Sequence, residues 1–393
     1  MSRQIGRSEL EKYGCSRLGA PAWILSLLNM PYIPEEILDL ILSCGTADSW
    51  NFANCTSFVS HTFHQIVLPH KFRSLTFAIP KLGEYGIPIP KFCEAIIAGD
   101  PLALSLAPLV QELTLVWRSG GICGTFPPLT DQFEKTINSV LSFRNLIKLN
   151  MRSCFTSFTI IEQLGKLVQL QSLHILHCKY SSELEYKVQD ITKELSTSSL
   201  SNLQSLHTLE YHYSGWKDSE YFNRHLACIP MNNLRILKSS EWAVTEALLT
   251  SDPPVQLKEL WLTQPYGGDH SLLWNYLARV TSLTHLSLPF LQFREGPPAS
   301  LIFPFQGLQY LHIHVGFAPL FANQPLKEMK IYTQSKPDPW QAMEEVIQHW
   351  HGIVFPHVEC LIMDHRSYQG MAEFPIEFWR KFLVKVNKVE VEY

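Results

Sequence analysis

Residues 146–178, LIKLNMRSCFTSFTIIEQLGKLVQLQSLHILHC, hold two copies of one pattern. Leu146, Leu149 and Met151 make an apolar-x-x-apolar-x-apolar run, and Leu170, Leu173 and Ile175 make the next. The last two positions of each run are two residues apart, the period of a strand whose alternate side chains enter a core. Cys154 and Cys178 each stand three residues beyond the last apolar position. Between the runs, Ser157 to Leu167 has the spacing of a helix. Strand, turn, helix and turn are thus complete within one unit. A unit this small cannot bury its apolar side until a neighbour stacks on it.

The same run recurs outward in both directions. It begins at Phe72 (with Leu75 and Phe77), Val110 (Leu113, Leu115), Leu206 (Leu209, Tyr211), Leu257 (Leu260, Leu262), Leu283 (Leu286, Leu288) and Leu308 (Leu311, Ile313). It continues at Leu326 (Met329, Ile331), Val358 (Leu361, Met363) and Val386 (Val389, Val391). One copy is broken, because Leu234 and Leu237 are followed by Ser239. Further helix-like segments lie at 131–143, 271–280, 338–350 and 374–386. The mean step, about 28 residues, falls within the range of short strand–helix repeats. The pattern resembles leucine-rich repeats, whose Asn or Cys position Cys154 and Cys178 occupy. That resemblance implies an α/β fold, an irregular horseshoe solenoid. The alternative is an ordinary α/β sheet, whose strands would be apolar on both faces rather than alternating.

Alternation also names the residues that point away from the core, across the concave face of a horseshoe. They are Asn150 and Arg152, His174 and Leu176, Glu210 and His212, Lys238 and Ser240, Trp261 and Thr263. The series continues with Ser287 and Pro289, His312 and His314, Lys330 and Tyr332, Ile362 and Asp364. Trp, Tyr, Arg and His without one dominant sign of charge suit a protein-binding face. The candidate target-binding residues are Arg152, His174, His212, Trp261, His312, His314 and Tyr332, with Trp261 foremost.

Upstream of the repeats, Pro34 fits a first helical position, and Glu35 and Glu36 complement the helix dipole. Ile33, Ile37, Leu38, Ile41 and Leu42 give that short helix one apolar face. A second helix follows the 45–49 loop, with Phe52, Cys55, Val59, Phe63 and Ile66 on one face, Phe58 beside it and Pro69 as its stop. The run Ile33-Pro34-Glu35-Glu36-Ile37-Leu38, then Cys55-x-x-Phe58-Val59-Ser60-x-x-Phe63, then Leu68-Pro69-His70-x-Phe72-Arg73-Ser74-Leu75, resembles the F-box of large fungal families. The resemblance implies docking on the Skp adaptor of a cullin-RING ubiquitin ligase through Ile33, Pro34, Ile37, Leu38, Ile41, Leu42, Phe58 and Val59. It further implies that the repeats select the protein to be ubiquitinated. The alternative is that these helices only cap the end of the solenoid, as terminal repeats require. The division is then 1–30, a leader without repeat or motif, 31–70, the F-box-like segment, and 71–393, the repeat domain.

Composition narrows the classes of function. The chain has 393 residues, 46% of them hydrophobic, enough for a large core. The formal net charge of −4 arises from 32 basic and 36 acidic residues mixed along the chain, so neither nucleic acid nor an anionic membrane is an expected partner. Nine scattered cysteines without a Cys-x-x-Cys pair argue against a disulfide framework and structural zinc, and fit the cytoplasm or nucleus. Residues 22–29 imitate a signal sequence but are short and lack a cleavage site. The pairs His174 and His177, His312 and His314, and His349 and His351 lack companion ligands at metal-site spacing. No nucleophile elbow or phosphate-binding loop occurs, and Ser119 to Gly124 lacks dinucleotide-site spacing. The chain is therefore expected to need no cofactor and to be no enzyme. A hydrolase or transferase on an irregular α/β domain would require polar groups within hydrogen-bond reach in a deep pocket.

Overall fold

The computed structural model describes residues 68–79, 91–117, 129–156, 158–180, 199–213, 224–254, 256–263, 270–289, 303–332, 346–364 and 376–392. The F-box-like segment to residue 67 lies outside them, and with it Ile33, Pro34, Ile37, Leu38, Ile41, Leu42, Phe58 and Val59.

Each apolar run becomes a strand, and the strands form one sheet. They are β1 (Ser74–Ile79), β2 (Glu112–Trp117), β3 (Lys148–Arg152), the short β4 (Phe155–Thr156), β5 (Ser172–Tyr180), β6 (Thr208–Tyr213) and β7 (Ile236–Ser239). Then come β8 (Glu259–Leu262), β9 (His285–Leu288), β10 (Tyr310–His314), β11 (Glu328–Tyr332), β12 (Cys360–Asp364) and β13 (Lys388–Glu392). All but β4 follow one another in sequence order, and β4 pairs with the far end of β5. Every pairing is parallel and keeps the apolar positions level, as where Leu149 faces Leu173 and Leu173 faces Leu209. This is an α/β repeat solenoid.

Two devices hold successive units in register. One carbonyl at the start of each unit accepts both N–H groups that open the next strand. Ile147 O takes Gln171 N and Ser172 N, Gln171 O takes His207 N and Thr208 N, and the arrangement repeats from Gln111 to Glu359. The second device is the cysteine position. Cys154 and Cys178 are buried, each thiol donating to the carbonyl of the third apolar residue one repeat earlier, Leu115 O and Met151 O, both at 3.5 Å. The preceding residues, Ser153 and His177, both have φ of 55°, the left-handed turn that swings the thiol inward.

The core holds a position that the six-residue run omits. Ala107, Phe143, Leu167, Leu203, Met231, Val280, Phe305 and Phe355 stand three residues before the first apolar position of their units, and all are buried. The turn explains them, since the N–H three residues on bonds back to their carbonyls at Ala107, Phe143, Leu167, Leu203 and Met231. The broken copy keeps its register as well. Ser239 is buried on β7, where its hydroxyl donates to Glu241 O and accepts from Glu241 N, both at 3.1 Å, so burial leaves it satisfied.

The other side of the sheet carries the return segments. They are α1 (Lys91–Ile97), α2 (Pro101–Leu106), α3 (Leu129–Val140), α4 (Phe158–Leu164), α5 (Trp242–Thr250), α6 (His270–Leu277) and α7 (Ile376–Trp379). Shorter 3-10 segments such as Ser199–Asn202 and Val315–Phe321 replace them in some repeats. Asp100 caps α2, accepting from Ala103 N at 2.8 Å, with Pro101 at the first helical position. Residues 68–73 are helical, so helical structure continues past Pro69, where the sequence reading ended it. Among the described residues, no single helix is long and apolar enough to cross a membrane.

Candidate functional site

Register lines up in columns the side chains that alternate with the core positions of the sheet. From β3 to β11 the middle column reads Asn150, His174, Glu210, Lys238, Trp261, Ser287, His312 and Lys330. Adjacent strands lie about 4.8 Å apart, so neighbours in a column touch.

Around β5 to β7 the column is polar and interlocked. Glu210 Oε2 lies 2.6 Å from His174 Nδ1, and Oε1 lies 3.4 Å from His212 Nε2. Hydrogen bonds from His174 first and His212 second hold the Glu210 carboxyl far below the usual carboxylate range, against the opposing effect of partial burial. The sign follows directly. A depressed folded value means that this contribution is full above the unfolded carboxylate's range and is lost as pH falls through the folded one. Glu210→Gln is expected to lower the melting temperature at pH 7, with a gap to wild type that narrows in strongly acid solution. A gap that widens there would refute the assignment.

The next strands carry an aromatic row. Lys238 Nζ sits 4.9 Å from the centre of the Trp261 ring, a cation–π contact. Ser287 is the only residue between Trp261 and the β10 strand at this level, and it is small. Trp261 therefore stacks on Tyr310 at 5.3 Å and 20°, and Tyr310 stacks in turn on His285 at 5.7 Å. The result is a rigid, half-buried platform rather than a lone exposed tryptophan. Its indole N–H is buried and has no hydrogen-bond partner among the described residues.

The outward residues thus divide. Arg152 is exposed and donates to the Asn150 amide oxygen at 3.3 Å, while His174, His212 and Trp261 are partly exposed. His312, His314 and Tyr332 are not turned to solvent, contrary to the alternation rule's expectation; all three are buried. His312 Nδ1 meets Ser287 Oγ at 3.0 Å, and Tyr332 meets the rings of His312 and His314 edge-on. His314 Nδ1 accepts from Gly316 N and caps the following 3-10 segment. Asn150, Ser287 and Pro289 are buried too. Alternation assigns a side of the sheet, whereas burial depends on neighbouring side chains packed along it. Tyr310 and His285 belong to the platform but lie one position before the apolar pair, outside the columns that alternation singled out.

Elsewhere the chemistry is quiet. Burial pushes the Cys93 thiol up to about 11, so it is a protonated core group. Among the described residues, no three His, Cys, Asp or Glu side chains are placed to hold a metal ion.

No protein-family model and no curated protein matches the sequence. Among solved structures the chain is similar to an internalin from Listeria monocytogenes, at 11% identity, with 78% of this chain and 91% of the internalin covered and a TM-score of 0.28. It is similar also to a leucine-rich-repeat protein from Leptospira interrogans, at 14% identity, with 83% and 96% covered and a TM-score of 0.25. At those scores the likenesses carry no argument, and the repeat architecture rests on the chain's own register and core.

Proposed function

We propose that the chain is a substrate-recognition subunit of an SCF-type cullin-RING ubiquitin ligase, with the ligase chemistry carried by other subunits. In this reading Ile33, Pro34, Ile37, Leu38, Ile41, Leu42, Phe58 and Val59 hold the Skp adaptor and, through it, the cullin. The open sheet face holds the target protein, with Arg152, His174, His212 and the Lys238–Trp261–Tyr310 platform as the contact surface. The chain would work in the cytoplasm, the nucleus or both.

The observation that supports this reading is how the two parts join. Helical residues 68–73 run straight into β1 at Ser74, so among the described residues no irregular segment lies between them. A ligase subunit is served by a short connection of this kind, because the target must be held near the adaptor. A repeat scaffold whose amino-terminal helices only cap the solenoid is the second reading. It is favoured by Ile97, Leu102 and Leu104, which stand exposed on α1 and α2 beside the first strands and offer a cap apolar surface to cover.

Co-purification separates them. Tagged full-length chain is expected to retain a Skp-type adaptor, and Ile37→Asp with Leu38→Asp is expected to abolish retention while the repeats keep their melting temperature. Loss of the repeat fold in that double variant, without any adaptor captured by the wild type, would favour the cap. Trp261→Ala is expected to weaken target capture by about 2 kcal/mol, roughly thirtyfold, while leaving the adaptor bound.

A further inference from the structure

A hydroxyl, an imidazole and a carboxylate stand in line on the open face, in an order that partner binding does not require. Ser172 opens β5, His174 follows two residues later on the same face, and Glu210 is the register partner of His174 on β6. Ser172 Oγ lies 2.7 Å from His174 Nε2, and His174 Nδ1 lies 2.6 Å from Glu210 Oε2.

The proton positions follow from the carboxylate. Glu210 is ionised and can only accept, so Nδ1 of His174 carries the hydrogen between them. A neutral imidazole with hydrogen on Nδ1 has its lone pair on Nε2. In that neutral form the Ser172 hydroxyl donates its proton toward the Nε2 lone pair. His212, 3.4 Å from the other Glu210 oxygen, holds the carboxylate from its far side. A serine whose proton points at a basic nitrogen, with the other nitrogen fixed by a carboxylate, is the arrangement that makes a hydroxyl nucleophilic.

We propose that Ser172 is an acyl-accepting nucleophile, with His174 as its general base and Glu210 as the positioning residue, acting on activated carboxylic esters that react at the sheet face without the deep pocket a dedicated hydrolase would require. This is independent of the adaptor reading. His174 Nε2 takes the hydroxyl proton as Oγ bonds to the carbonyl carbon, and the carbonyl electron pair moves onto oxygen. When that pair returns, the bond to the alcohol oxygen breaks and the imidazolium proton leaves with the alcohol. Water then adds to the acyl-serine, giving its proton to His174, and the acid departs as the Ser172 hydroxyl is restored.

The sheet limits the rate. Ser172 N already donates to Ile147 O at 3.0 Å, so this main-chain N–H is not free to hold the developing oxyanion. Register sets Lys148 and Thr208 on either side of Ser172, which makes their side chains the candidate donors. The loss of one oxyanion donor costs such sites a factor of about 10² to 10³. Activated electrophiles are therefore the right probes.

The test is labelling of the full chain with a fluorophosphonate, the modified residue being identified by peptide mass after digestion, with each variant first verified as folded by circular dichroism. The expected label is on Ser172, absent in Ser172→Ala and slowed about a hundredfold or more in His174→Gln, the usual contribution of a general base. Glu210→Gln is expected to lower the maximal labelling rate without changing the half-saturating probe concentration, which a merely structural role would not do. Hydrolysis of p-nitrophenyl acetate should show an initial burst that Ser172→Ala removes. No label on Ser172, or a label whose rate is unchanged in His174→Gln, would overturn the proposal.

Discussion

Trp350→Ala is expected to destabilise the C-terminal repeats by about 4 kcal/mol, within the range measured for large aromatic truncations in cores. Trp350 is fully buried, with Phe355 at 5.0 Å and Trp379 and Phe382 edge-on at 6.4 and 5.8 Å. Its indole N–H donates to Val315 O at 3.0 Å across 35 residues of sequence, tying one return segment to another. Alanine removes both the ring and that donor. Trp350→Phe separates the two effects, keeping a ring and losing the hydrogen bond for about 1 kcal/mol. Because stability in a stacked array is a sum of neighbour terms, the loss should be local. Hydrogen exchange should rise in β11 to β13 and remain unchanged in β2 to β6. A uniform rise would mean that the array unfolds as one unit.

Gly165→Ala is the second large effect, through crowding instead of a cavity. Gly165 follows α4, and a Cβ there would fall on the backbone carbonyl and side chain of Ser199 in the neighbouring repeat. Neither side yields easily, since Leu200 is fully buried and Ser199 Oγ bonds Ile161 O at 3.2 Å. A loss of about 3 kcal/mol is expected by urea titration. Gly99→Ala is the contrasting control. Gly99 has φ of 75° and nothing within 4 Å of the added carbon, so only backbone strain of about 1 kcal/mol applies. Equal losses at the two positions would refute the crowding account.

The strands were legible because their spacing is set by geometry that every repeat shares. Leu173 and Ile175 could be placed on the core side from sequence alone, and Cys154 and Cys178 at the Asn-or-Cys position by resemblance, whereas their inward turn depends on the left-handed backbone of Ser153 and His177. Ser239 looked like a break because sequence shows a missing methyl group and not the Glu241 backbone that satisfies the hydroxyl. The helices α1 and α2 and the α5 helix escaped notice. The first two are short, and the third is apolar nearly all round, so its period is faint. The position at Phe143, Leu167 and Leu203 was legible in principle, three residues before each run, but it precedes the strand and obeys a turn.

The open face was legible only as a set of outward residues. Which of these touch depends on neighbours 25 to 36 residues apart, as for Ser287 with His312 and His174 with Glu210. Sequence spacing within one strand does bring Ser172 and His174 to the same side. It does not show that a carboxylate from the next strand fixes the imidazole between them.

Each strand of the main path meets only the strands before and after it in the chain. A chain built this way can change length by whole modules. Excising residues 236–258 would join Arg235 to Glu259 and let β8 take the place of β7, with every apolar side chain still directed inward, because Ile236 and Glu259 are register partners. Removing one residue fewer would turn that strand inside out. Duplication and loss of modules can therefore reshuffle the chemistry displayed on the face while the scaffold beneath it stays the same.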